Sequence, residues 1–167
     1  MEEKKIILDI QDLSISFQQY EKGFARTDLD VIRDLNVTIH EGEMVAVVGS
    51  SGSGKSLLAH GILGILPYNG VLGGTILYDG EELTQKRKEA LRGNEIVLVP
   101  QSVAFLDPLM KIGPQIRKGK KDPVSREKLN QIFEGYHLKQ EVQELYAFEL
   151  SGGMNRRVLV STAMMGN

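Results

Sequence analysis

The apolar positions along the chain come in short runs of changing period, and the period assigns the elements. Ile6-Ile7-Leu8-Asp9-Ile10-Gln11-Asp12-Leu13-Ser14-Ile15-Ser16-Phe17 nearly alternates, which predicts a strand with one buried face. Residues 18–30 are polar and contain Gly23, predicting a loop or a long hairpin connection. Alternation returns over 31–40 with Val31, Leu35, Val37 and Ile39, and Glu41-Gly42-Glu43 turns that strand into a buried one over 43–48. A continuous apolar stretch from Leu57 to Leu66 predicts a helix, stopped by Pro67-Tyr68-Asn69-Gly70. Gly74-Thr75-Ile76-Leu77-Tyr78-Asp79-Gly80 predicts a strand closed by an Asp-Gly hairpin turn. A short charged helix over 86–91, most simply a solvated surface, leads to a second compact apolar strand over 95–100. Beyond Asp107-Pro108 the pattern turns helical and more charged, with a break at Asp122-Pro123 and Ser125 as the N-cap of a helix through Phe133. A last helix runs from Met154 to Met165.

Strands alternating with helices predict an α/β fold. The shift in composition near residue 107 divides it into three parts: 1–106 (a β subdomain and a core), 107–150 (an inserted helical subdomain) and 151–167 (a final helix). With 167 residues, 41% hydrophobic and 25% charged, the chain is long enough for one domain with a real core. Its net charge of −2 gives no electrostatic case for nucleic acid or an acidic membrane surface. The absence of cysteine excludes disulfides, thiolate metal sites and cysteine nucleophiles, and fits a reducing cytosol. No apolar run approaches the ~18 residues of a membrane span. The expectation is a soluble cytoplasmic protein. The basic cluster Arg117-Lys118-Gly119-Lys120-Lys121 is expected to be a solvated loop.

The strongest chemical signal is Gly49-Ser50-Ser51-Gly52-Ser53-Gly54-Lys55-Ser56, a complete G-x-x-x-x-G-K-[ST]. It sits between a predicted strand and a predicted helix, the setting this phosphate loop requires. Backbone N–H groups must close around polyphosphate, and side chains at Gly52 or Gly54 would hold the backbone away. The helix opening near Lys55 directs free N–H groups and a positive dipole end at the anion. Lys55 adds a mobile charge, and Ser56 offers a hydroxyl to Mg²⁺. Gln101 follows the second compact strand at its carboxyl end, where open α/β sheets gather their ligands. Leu150-Ser151-Gly152-Gly153-Met154 opens the last helix with another set of bare N–H groups, or with a simple capping turn at Ser151.

The order of phosphate loop, glutamine, helical insert and Leu-Ser-Gly-Gly resembles the ATP-binding subunit of an ABC transporter, over essentially the whole chain. Ser102-Val103-Ala104-Phe105-Leu106-Asp107-Pro108-Leu109-Met110 and Met154 resemble the oligopeptide/dipeptide/nickel importer branch. The resemblance implies a P-loop NTPase of the ABC ATPase type with an N-terminal antiparallel β subdomain. It implies ATP and Mg²⁺ as ligands: Gly49, Ser50, Ser51, Gly52, Ser53, Gly54, Lys55, Ser56 and Leu57 around the phosphates, and Ser56 and Gln101 on the metal. Ser151, Gly152, Gly153 and Met154 would meet the ATP of a second subunit. Phe17 is the expected adenine-stacking aromatic, with Tyr20 and Phe24 as alternatives. Partners would be a second ATP-binding subunit and membrane-spanning permease subunits, holding the chain at the inner face of the plasma membrane without insertion or nucleic acid. The cargo would be a peptide, nickel or a related small solute.

In relatives the last helix is followed by an apolar strand ending in Asp-Glu, then a loop Asp and a His. The sequence stops at Met164-Met165-Gly166-Asn167, before any of the three. The expectation is a truncated cassette lacking the C-terminal part of its core sheet and its catalytic Glu, which binds ATP with little or no hydrolysis. A non-catalytic regulatory or inert fragment is the alternative. A DNA-repair ABC ATPase is a further one, opposed by the short helical insert and the lack of cysteine.

Overall fold

The computed structural model describes residues 4–20 and 26–166. The chain forms two compact units, Met1–Arg92 and Gly93–Asn167.

The first unit is built on an antiparallel sheet of β1 (Ile6–Tyr20), β2 (Arg26–His40), β3 (Gly70–Tyr78) and β4 (Glu81–Glu82), in the order β2-β1-β3-β4. Helices α1 (Lys55–Leu63) and α2 (Gln85–Leu91) complete it. Ile10, Leu13 and Ile15 of β1 are all buried, although their spacing departs from strict alternation. A β-bulge supplies the extra residue. Asp12 takes φ +50°, the pairing register shifts between Ile10 and Leu13, and Asn36 Oδ1 accepts from the Asp12 N–H at 2.9 Å. The Asp79-Gly80 hairpin forms as expected, with both residues at positive φ between Tyr78 and its partner Glu81.

Of the two forms expected for 18–30, the hairpin is the one found, with its strands reaching further into the polar stretch than expected. β1 runs to Tyr20 and β2 starts at Arg26, with Gln18 opposite Asp28 and Gln19 opposite Thr27. A ladder is made of backbone bonds, so it continues past the last apolar residue without needing a buried face.

The strands expected over 43–48 and 95–100 do not form. A strand exists only through a run of hydrogen bonds to a neighbour; in 95–100 the pairing stops at a single bridge at Ile96, whose carbonyl accepts from Gly93 N–H at 2.9 Å, and 43–48 joins no ladder among the described residues. Their side chains are correspondingly open, with Met44 97% and Val48 89% exposed and Val97, Leu98 and Val99 all exposed.

Helix α1 also ends before the predicted Leu66. Gly64 takes the left-handed conformation (φ +65°) just past Leu63, and its N–H returns to Gly61 O at 3.2 Å. Gly61 lies against the sheet, where an added Cβ would come within 3.1 Å of Ile15 and Leu72.

The second unit contains α3 (Ile112–Ile116), α4 (Pro123–Gly135) and α5 (Gly152–Met164), joined by short 3₁₀ turns. Its core is a cluster in which Ile112, Ile116, Leu129, Phe133 and Val158 have no exposed surface. Leu129 and Phe133 fall four residues apart on the inner face of α4. The N-cap of α4 is Asp122 rather than Ser125: its carboxylate accepts from both the Ser125 N–H and hydroxyl at 2.8 Å, and Pro123 opens the first turn. Helix α5 likewise begins at Gly152, two residues before its predicted start.

Candidate functional site

The phosphate loop keeps an open, internally tied shape. Ser53 N–H donates to Ser50 O at 3.3 Å, and the Lys55 ammonium donates to Gly49 O (2.9 Å), Ser50 O (2.5 Å) and Ser53 Oγ (3.2 Å). The cation is therefore held over the loop by carbonyls of its own chain. Gly52 and Gly54 both require positive φ, +80° and +88°. Their surroundings differ. A Cβ at Gly52 would meet nothing within 4 Å, whereas one at Gly54 would lie 3.0 Å from Val31 Cγ1 and 3.2 Å from Ile32 Cγ1. Gly54 is thus a packing glycine as well as a turn glycine, while Gly52 faces open space.

Gly54 is the N-cap of α1 and carries no side chain to bond the first-turn N–H groups; no acidic residue occupies that turn. An uncapped helix start beside a lysine ammonium and an exposed serine hydroxyl, Ser56, fits a polyphosphate with a bound divalent cation. Leu57 is partly buried behind the loop, and Leu58 N–H closes the first helical bond on Gly54 O at 2.9 Å. A cleft of about 300 Å³ adjoins the loop, lined on its apolar side by Val31, Ile32, Leu35, Val37, Val47 and Val48.

Phe17 is not among the residues lining that cleft. It is half-buried on β1, opposite Leu29 on β2 and Gly70 on β3, with its ring edge packed on Gly70. Phe24 and the side chain of Tyr20 lie outside the described residues.

Gln101 and the Leu-Ser-Gly-Gly sequence belong to the second unit. Gln101 is exposed in a bend, and the following Ser102 accepts from Ala104 N–H at 3.2 Å to open a short turn. Ser151 is the N-cap of α5, its Oγ accepting from Met154 N–H at 3.4 Å. The capping role foreseen for it is therefore real. Gly152 and Gly153 are exposed, and a Cβ on either would meet nothing within 4 Å. Met154 packs against the core beneath them.

The sequence pattern did not single out Arg157. Its guanidinium donates to Gly153 O at 3.0 Å, His137 O at 2.9 Å and Tyr136 O at 3.4 Å, tying the start of α5 to the end of α4. The only advance signal was its position one helical turn after Gly153, which aligns it with that carbonyl. In the basic cluster, Arg117 bonds to Lys120 O at 3.0 Å, and Lys118 and Gly119 make a positive-φ turn in an exposed loop.

A family model described as ABC transporter matches residues 32–167. This chain belongs to the ABC transporter family. It is 29% identical, over 96% of its own length, to the oligopeptide transport ATP-binding protein OppD of Salmonella typhimurium, of which it covers 50%. It is 32% identical to the oligopeptide transport ATP-binding protein AmiE of Streptococcus pneumoniae, covering 97% of itself and 48% of that protein. The chain thus spans about half the length of the curated relatives it matches. Among solved structures, a dimeric ATP-binding cassette in a post-hydrolysis state, bound to ADP and phosphate, aligns with a TM-score of 0.77 at 21% identity, over 96% of this chain and 70% of that one. A bacterial ABC exporter with ATP bound aligns at 0.65 and 24% identity, over 98% of this chain and 28% of that one. The fold is accordingly that of the ABC cassette, α/β with an N-terminal antiparallel sheet.

Proposed function

We propose that these residues form the ATP-binding part of the energy-coupling subunit of an ABC importer, with a peptide as the favoured cargo and nickel or a related small solute as the alternative. The observation that carries this reading is the loop Gly49–Ser56: two positive-φ glycines, an uncapped helix start and a lysine ammonium over the loop. In this reading Lys55 and the loop N–H groups bind the β- and γ-phosphates, and Ser56 and Gln101 hold Mg²⁺. When bound, the metal neutralises phosphate charge. Ser151, Gly152, Gly153 and Met154 meet the ATP of a second subunit. The three parts 1–106, 107–150 and 151–167 then serve as nucleotide core, helical subdomain and signature helix. The peptide assignment is supported by the oligopeptide transport names of the relatives.

Among the described residues no helix is long and apolar enough to cross a membrane. In this proposal the chain reaches the inner face of the membrane through permease subunits.

Calorimetric titration with Mg-ATP tests the reading. Saturable binding is expected for the chain, with loss of measurable heat in Lys55→Ala. Equal affinity in the two proteins contradicts the assigned site.

A further inference from the structure

Helix α1 has two ends, and the one remote from the phosphate loop is unusually well held. Its last carbonyls have no partner within the helix and carry the negative end of its dipole. Three side chains of α2 converge on them. Lys88 Nζ donates to Gly61 O at 2.8 Å, Arg92 Nε to Leu63 O at 3.0 Å, and Gln85 Nε2 to Gly64 O at 3.3 Å. Arg92 also reaches Gly64 O through Nη2, at 3.4 Å. Residues 85, 88 and 92 share one face of α2 and its capping turn, and that face is directed at the end of α1.

Lys88 is buried, only 7% exposed, with no acidic partner at its ammonium among the described residues. Burial lowers its pKa from the ordinary lysine value. A buried cation in such surroundings is costly unless its hydrogen bond and the helix dipole offset the loss of water. The site is also closely fitted. A Cβ at Gly64 would fall 2.7 Å from Gln85 Oε1 and 2.9 Å from Lys88 Cδ, so a side chain there would push both residues out of their present positions. Helix α2 is itself anchored to the sheet hairpin, since Arg87 donates to Tyr78 O at 2.9 Å and Glu81 O at 2.6 Å.

We propose that Lys88 and Arg92 are positioning residues for the phosphate loop. They fix the carboxyl end of α1 so that its amino end presents Lys55, Ser56 and the bare N–H groups in one place. The proposal rests on the nucleotide-binding reading of that loop. Without the clamp, the nine-residue helix frays and shifts, and only a fraction of molecules holds a competent loop. Apparent affinity falls in proportion to that fraction.

The test is calorimetric titration of the full chain with Mg-ATP and separately with inorganic tripolyphosphate, a probe of the phosphate cradle alone. Lys88→Met is expected to raise Kd for both ligands by roughly fivefold to tenfold, the scale of a partly buried cation at a helix C-terminus, with unchanged stoichiometry. Lys88→Arg, which keeps the cation, should recover most of that affinity. Loss of folded protein alone would lower the stoichiometry and leave Kd untouched, and this result overturns the proposal. So does a wild-type Kd in Lys88→Met. If Lys88→Met does not fold, Arg92→Gln serves in its place, with a rise in Kd supporting the clamp and a wild-type Kd refuting it. Absence of binding by the wild-type chain would remove the nucleotide reading itself, and this inference with it.

Discussion

Gly52 and Gly54 differ by two positions and share the same backbone requirement, so alanine at each separates strain from packing. An alanine held at positive φ costs about 1–2 kcal/mol, offset in part by about 0.4–1 kcal/mol from the stiffer unfolded chain. At Gly52 that is the whole cost, because the new methyl meets nothing within 4 Å. At Gly54 the methyl would approach Val31 Cγ1 at 3.0 Å and Ile32 Cγ1 at 3.2 Å. Both neighbours are β-branched and stiff at χ1, so overpacking adds about 1–3 kcal/mol. Gly52→Ala should therefore cost about 1 kcal/mol and Gly54→Ala about 2–4 kcal/mol. Urea unfolding of the full chain measures the difference through the midpoints. Mg-ATP titration adds an independent readout: Gly52→Ala stays folded yet binds more weakly, since a Cβ in the loop holds its backbone away from the phosphates. Equal destabilisation by the two alanines, or the milder effect at Gly54, would refute the packing role assigned to Gly54.

Two further outcomes are expected. Asp122 is held below the ordinary carboxylate value of 3.8 first by the Ser125 N–H and then by the Ser125 hydroxyl. A folded pKa below the unfolded one gives stability that is complete above the unfolded value and is lost as pH falls through the folded value. Acid titration of helicity should thus show a shallower fall below pH 3.8 in Asp122→Asn than in the wild type; identical slopes would exclude the capping bond as a source of acid sensitivity. The exposed apolar segments 44–48 and 97–99, with Met44 and Val48 almost fully exposed, should drive self-association. Sedimentation velocity is expected to show it growing with concentration and weakened in the Val45→Thr, Val47→Thr double variant, whereas a clean monomer at all concentrations would contradict it.

Much of the candidate site was legible because its chemistry is local in sequence. A phosphate loop is eight consecutive residues, its glycines are needed for backbone angles, and its helix starts where its apolar run starts. The same holds for the Asp79-Gly80 hairpin and for Ser151 at the start of α5. Local pattern also had limits within one helix turn: Ser125 looked like the cap of α4, but the acceptor is Asp122, because Pro123 fits the first helical position.

What the tertiary structure decided were relations between distant segments. The apolar runs 43–48 and 95–100 look like buried strands by composition, yet a strand is made by its neighbour, and among the described residues neither run forms a ladder beyond the single bridge at Ile96. Lys88 sits in a charged heptapeptide that reads as solvated surface, and its burial follows only from the approach of α2 to the end of α1. Gly54 was recognisable as a turn glycine, but the contacts with Val31 and Ile32 that also make it a packing glycine come from a strand more than twenty residues earlier. Sequence by itself pointed to a phosphate loop and to the family, the first from eight contiguous residues and the second from the order of short motifs along the chain. Which side chains meet the carboxyl end of α1 was settled by packing, because a helix end has no preferred partner until another element is brought against it.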